Sequence, residues 1–153
     1  MFTSAHFVVV ATTALTVVTA VVIHYEAFVG LTSWMDRPAR SRLRARERLL
    51  ILVLSLILIH VAEIWLFGTA SWILVEFLPG AGEVGAPYTV AFLDHIYLST
   101  ASFTTVGYGD LYPLGPIRFL FGTESLTGFA LITWSASLTF LEMQRNWQHH
   151  RDQ

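Results

Sequence analysis

Thr104-Thr105-Val106-Gly107-Tyr108-Gly109-Asp110 is a short, glycine-bearing run set between hydrophobic segments long enough to cross a bilayer. Gly107 and Gly109 permit backbone angles that other residues resist, so the run reads as extended or irregular backbone rather than helix. Just upstream, residues 89–103 have helical character but are too few to span a membrane. Before them, residues 79–88 hold Pro79-Gly80-Ala81-Gly82-Glu83-Val84-Gly85-Ala86-Pro87, a string of turn formers that reads as a loop. A short helix followed by an extended return is a re-entrant loop, tolerated at membrane depth only where protein or water surrounds it.

Long apolar segments flank this unit. One runs from about 49 to 78, and as a helix it would reach about 45 Å, more than a bilayer core needs. Gly68 offers an earlier end to its membrane part, with Trp65 and Trp72 at the interface. The other runs from about 116 to 143, interrupted by Gly122 and Gly128, and leads into a short polar tail at 144–153. A third apolar run, from His6 to about Phe28 within residues 1–35, is long enough for one further crossing. A secretory signal is the competing reading. The absence of a positive charge at the start and the length of the run favour a retained helix.

Composition agrees. The 153 residues are 54% hydrophobic and 13% charged, too apolar for an ordinary soluble domain. Mean hydropathy is +0.58. The chain has no cysteine, which excludes disulfides and thiolate metal sites. All nine basic residues are arginine, and six of them fall in residues 36–48 against two acids, a local charge of +4. A short basic loop between two crossings should stay in the cytoplasm. The segment from 49 to 78 then runs outward, the re-entrant loop opens on the outer face, and the last helix returns inward. The amino terminus is expected outside and the carboxyl terminus in the cytoplasm. Arg40, Arg44 and Arg48 share one helical face and can bind anionic lipid headgroups.

Ionisable groups at membrane depth are costly and should face protein or water. His60 and Glu63 lie three apart on one helical face and are expected to pair with each other or with the re-entrant region. Glu124, inside the last helix, is the most expensive group of the chain and is expected to bind groups of the short helix. His24 and Glu26 read as interfacial side chains reaching water beside Trp34; a proton-sensing pair is the alternative.

With the loop and its flanks in view, the chain resembles the pore-loop potassium channel family. Thr105-Val106-Gly107-Tyr108-Gly109 matches that family's selectivity filter, and Asp110-Leu111-Tyr112-Pro113 matches the run after it in simple prokaryotic members. The resemblance covers about residues 49–143 and leaves the first crossing unaccounted for. It implies an all-α membrane protein of three transmembrane helices plus a re-entrant pore helix and filter loop, assembled as a homotetramer in the cell (inner) membrane. Potassium ions would be held by the carbonyls of Thr105, Val106, Gly107 and Tyr108 together with the Thr105 hydroxyl. Val106 and Tyr108 side chains would point away from the axis, with Gly109 completing the loop. One chain supplies a quarter of each oxygen ring, so a single filter copy implies four subunits.

The sequence also departs from the family. Where some prokaryotic members carry a pore-helix glutamate that binds the aspartate after the filter, this chain has Ala101, so Asp110 loses that partner. The aromatic pair common there is reduced to Tyr97 beside Leu98. Support from Thr104, Tyr97 and Ser99 is the expected substitute. By the same resemblance the last helix lines a cavity, with Thr133, Ser137 and Leu141 as its face and Gly128 as a hinge or a close-packing point. The expected function is passive, potassium-selective conduction without catalysis and without nucleic acid. His149-His150 is too little for a metal site. A non-selective cation channel and a non-conducting membrane subunit are the alternatives, the second supported only by the extra crossing.

Overall fold

The computed structural model describes residues 4–35 and 45–151. Three long helices and one short one form the chain: α1 (Ser4–Met35), α2 (Ala45–Phe77), α3 (Phe92–Phe103) and α4 (Arg118–Arg151). α1, α2 and α4 are each long and apolar enough to cross a membrane, and the protein is an all-α, multi-pass membrane protein. The expected loop at 36–48 lies mostly outside the described residues, and with it Arg40 and Arg44.

Helix boundaries differ from the apolar runs because backbone hydrogen bonding continues past the hydrophobic window. α2 begins at Ala45, four residues before the expected start, and α4 continues to Arg151 through the stretch that reads in the sequence as a tail. α3 starts at Phe92 rather than 89, because the Asp94 carboxylate reaches back to accept from the Ala91 amide at 2.7 Å and sets the first turn there. One element is new. Glu83–Gly85 (β1) pairs antiparallel with Tyr112–Leu114 (β2), Glu83 opposite Leu114, and ties the loop before α3 to the stretch after it. A 3-10 turn at Gly115–Ile117 leads into α4, held by the Ile117 amide on the Ala81 carbonyl at 2.8 Å.

α3 is wedged between α2 and α4, and glycine sets how close it comes. A Cβ on Gly68 would lie 2.6 Å from Ile96 Cδ1 and 2.9 Å from Ile96 Cα. One on Gly128 would run into the Phe103 carbonyl and lie 2.8 Å from the Phe103 ring. α2 continues through Gly68, which seats α3 against it. Small residues at membrane helix interfaces allow this kind of backbone approach. The core follows the same line, with Phe67, Phe103, Ile117 and Leu120 fully buried together.

α1 lies antiparallel to α2. Its first turns meet the turn before α4, where His6, Val9 and Val10 share a cleft with Gly115, Pro116 and Phe119. At the opposite end Arg48 of α2 pairs with Glu142 of α4 at 3.2 Å. The close α3–α4 approach can be tested by crowding it. Gly128→Ala should cost about 1–3 kcal/mol and lower the thermal midpoint in detergent, whereas Gly122→Ala, where a Cβ meets open space, should not.

Candidate functional site

The loop between α3 and β2 begins where the helix runs out of partners. The Thr104 amide and hydroxyl both donate to the Thr100 carbonyl, at 3.1 and 2.7 Å. The Thr105 amide then reaches back to Ser102 at 3.0 Å, and the Gly107 amide to Ala101 at 3.1 Å. Beyond that the chain leaves the helix. Residues 104–110 are all exposed on the single chain, with Val106 53% and Tyr108 71% accessible. Large apolar side chains so placed need cover from something other than this chain.

Backbone angles carry the clearest signal. Thr105, Gly107 and Gly109 have φ of 58°, 56° and 82°, all in the left-handed region. In an ordinary strand successive carbonyls point to opposite sides; reversing handedness at every second residue turns them to one side. Among the described residues no hydrogen-bond donor reaches the carbonyls of Thr105, Val106, Gly107 or Tyr108. Glycine adopts these angles with little strain. A β-branched threonine does not, and a conformation of this kind costs on the order of 1–3 kcal/mol and gathers at functional sites.

Tyr97 and Asp110 brace the loop from the side. The Tyr97 hydroxyl donates to Asp110 Oδ2 at 2.8 Å, and its ring stacks on Tyr108 at 6.2 Å between centroids and 7° between planes. Asp110 therefore has a partner after all, supplied one helical turn before Ala101. Ser99 sits on the far side of α3, away from the loop. Its hydroxyl donates to the Ile64 carbonyl of α2 at 2.8 Å and lies within hydrogen-bond reach of the buried Glu124 carboxyl of α4. Glu124 thus binds a short-helix group. Its other oxygen is buried without a hydrogen bond. Ser71 Oγ of α2 and His95 Nδ1 of α3 add a third buried polar tie at 2.8 Å.

The remaining sequence candidates divide by face. Thr133, Ser137 and Leu141 lie on the exposed side of α4, where Thr133 and Ser137 turn their hydroxyls back to the carbonyls of Phe129 and Thr133. Gly128, Leu131, Ser135 and Glu142 follow the opposite face, toward the other helices. Arg48 is engaged by Glu142. His60 and Glu63 do pair, Nδ1 to Oε2 at 2.9 Å. His24 is a correction to the interfacial reading. Its side chain is fully buried and its Nδ1 lies 2.9 Å from Glu63 Oε1, so its partner comes from α2, while Glu26 stays exposed. Ser135 carries no signal in the sequence; it is one of many hydroxyls in α4, and only the fold brings it to the histidines.

His24, His60 and Glu63 offer three ligand atoms within 4.8 Å of one another. The two imidazoles are stacked, 5.4 Å between centroids and 29° between planes. Both Nε2 atoms face the Ser135 hydroxyl, His60 at 3.1 Å and His24 at 3.5 Å. Each Nδ1 is also committed to a different oxygen of Glu63. The arrangement suits hydrogen bonding, not chelation.

The loop with unpaired carbonyls follows a helix too short to cross a membrane and lies between two helices long enough to do so. The chain matches the family described as "Ion channel" over residues 49–145, well over half its length, and belongs to it. Ion transport is the activity this membership supports. No curated protein and no solved structure matches the chain. The match takes in α2, α3, the loop and nearly all of α4, and leaves α1 outside.

Ser99 tests how α3 is held. Ser99→Ala removes the hydroxyl that partners both Ile64 and Glu124, and should cost about 1–3 kcal/mol, read as a lowered thermal midpoint; Ser99→Thr, which keeps a hydroxyl, should recover most of it.

Proposed function

We propose that the protein is a potassium-selective channel built from four copies of this chain. The observation that carries the reading is the alternation of left-handed backbone at Thr105, Gly107 and Gly109 with carbonyls that no donor among the described residues occupies. A potassium ion can enter a membrane only if other oxygens replace its water shell. Carbonyls turned to one side, with nothing bound to them, are such oxygens. One chain offers a single row, and a full coordination ring needs four rows about an axis.

The exposed loop side chains support the same assembly. Val106 and Tyr108 are large and uncovered on one chain; in a tetramer neighbouring subunits pack against them. Tyr97 and Asp110 then hold the loop at a fixed width. α3 ends at Phe103 beside the loop. A helix carboxyl terminus carries about half a negative charge, and four of them aimed at one axis would favour a cation there. Thr133, Ser137 and Leu141, left exposed on α4, line the cavity on the inner side in this reading.

Orientation follows from charge. The arginines of residues 36–48 keep that loop in the cytoplasm, which puts the amino terminus and the mouth of the filter outside. Arg40 and Arg44 are the residues of that loop offered to anionic lipid.

Reconstituted protein under a potassium/sodium gradient should reverse close to the potassium equilibrium potential. A reversal near zero with current flowing would make the pore non-selective, and silence under all conditions would make the chain a non-conducting subunit. Gly107→Ala places a side chain at a φ of 56° and should abolish potassium flux while the tetramer persists on native gels.

A further inference from the structure

α1 lies outside the family match, yet its buried histidine is drawn into the centre of the bundle. Glu63 of α2 gives one carboxylate oxygen to each of two imidazoles, His24 Nδ1 and His60 Nδ1, both at 2.9 Å. The far nitrogens of the same two rings meet at one hydroxyl. Ser135 Oγ of α4 lies 3.1 Å from His60 Nε2 and 3.5 Å from His24 Nε2. The four groups close a ring across three helices. Ser125, Thr127, Thr133, Ser137 and Thr139 of α4 all donate to the carbonyl four residues back, and Ser135 turns to the histidines instead.

We propose that this ring is a proton-binding site that holds one proton beyond its neutral imidazoles and fastens α1 to α4 through it. Counting donors and acceptors gives the number. A carboxylate only accepts, so both Nδ1 atoms carry hydrogen. With both rings neutral, both Nε2 atoms are bare acceptors facing a hydroxyl that has a single hydrogen, and the ring carries a charge of −1. One added proton resolves both defects. One Nε2–H donates to Ser135 Oγ, the Ser135 hydroxyl donates to the other Nε2, every group is paired, and the net charge is zero. A second proton puts two N–H groups against one oxygen and leaves a charge of +1. Net charge among buried helices is costly in either direction.

Tyr25 and Glu26 follow His24 on α1 with exposed side chains, and the other groups that face the ring come from each helix in turn. α1 contributes His24 beside Phe28; α2 contributes His60 and Glu63. α4 presents Ser135 and Trp134, the latter 5.3 Å from His24 between ring centroids, and α3 presents Phe103, 5.8 Å from His60. Glu124 is engaged with Ser99 further along α4. Glu63 and His24 are fully buried, and the His60 side chain is 16% exposed.

The pH dependence has a definite sign. In the proposed ring the two histidines share one added proton in the folded state. Unfolded, the two histidines hold two protons in acid and none in alkali, titrating near pH 6.5. Stability therefore rises with pH below that point and falls with pH above it, each limb approaching a tenfold change in the folded-to-unfolded ratio per pH unit. Glu63→Gln removes the charge that retains the proton; the folded ring then holds none, and only the acid limb remains.

Two measurements test this, and neither depends on which ion the pore selects. The first is the difference between wild-type and Glu63→Gln thermal stability across pH in detergent. A lost alkaline limb supports the site, and a uniform drop with an unchanged profile overturns it. The second needs no stable variant in the cluster. Nitrogen-15 spectra of histidine-labelled protein near neutral pH, with His6, His95, His149 and His150 identified by substitution, should show one positive charge on the remaining pair. Two neutral rings, or two charged ones, overturn the proposal.

Discussion

Irregular backbone at membrane depth is the constraint on which this structure turns. A peptide group in a bilayer must have a partner, and the carbonyls of Thr105 to Tyr108 have none among the described residues. Helices solve that problem internally, which is why α1, α2 and α4 can face lipid with Leu, Val and Ile exposed along them. The loop cannot. It must face an aqueous or ionic lumen, and it must be kept from lipid by protein on its other sides. Each neighbouring feature answers one of those needs.

α3 answers the second. It is too short to cross, so it must be held at depth by its neighbours, and polar as well as apolar contacts hold it. Ile64, Gly68 and Ser71 form one stripe on α2 that receives Ser99, Ile96 and His95 of α3. On the other side Glu124 takes Ser99, and Gly128 admits the Phe103 carbonyl. Ser99 therefore binds both flanking helices at once. A buried carboxyl is a poor source of stability by itself, but breaking a buried pair is costly. This ties the depth of α3, and with it the position of the loop, to both crossings. β1 and β2 join the chain before α3 to the chain after the loop.

Much of this is legible in the sequence, for reasons that can be named. The crossings are visible because apolar length is a one-dimensional property. The loop is visible because Gly107 and Gly109 admit angles that few other residues do. The pairing of His60 with Glu63 is visible because three residues is a helical neighbour distance. Features that depend on contacts between helices are hidden. Glu124 needs a partner on any reading, but nothing in the order of residues names Ser99. β1 and β2 are three residues each and separated by the whole of α3 and the loop, too short to show a period. His24 reads wrongly for a related reason. Its nearest charged neighbour in sequence is Glu26, and the helix turns those two residues to different faces.

α1 is a crossing added to a pore unit, and its buried face shows how closely it is built in. A helix that only filled lipid-facing surface would need no buried polar group, because Val and Leu pack without one. α1 instead carries Thr13, Thr16 and His24 on its buried face. Thr13 and Thr16 satisfy themselves on carbonyls of their own helix, Val9 and Thr12. His24 cannot, since an imidazole is too long to fold back in that way. It must be met from outside, and Glu63 meets it. That dependence ties the position of α1 to α2, and through Ser135 to α4. The Arg48–Glu142 pair joins α2 to α4 nearer the start of α2. Movement of α4 there would disturb both contacts together, one of them an ion pair and the other a buried ring that includes α1. The first crossing is thus mechanically part of the pore unit despite lying outside the sequence pattern that defines it.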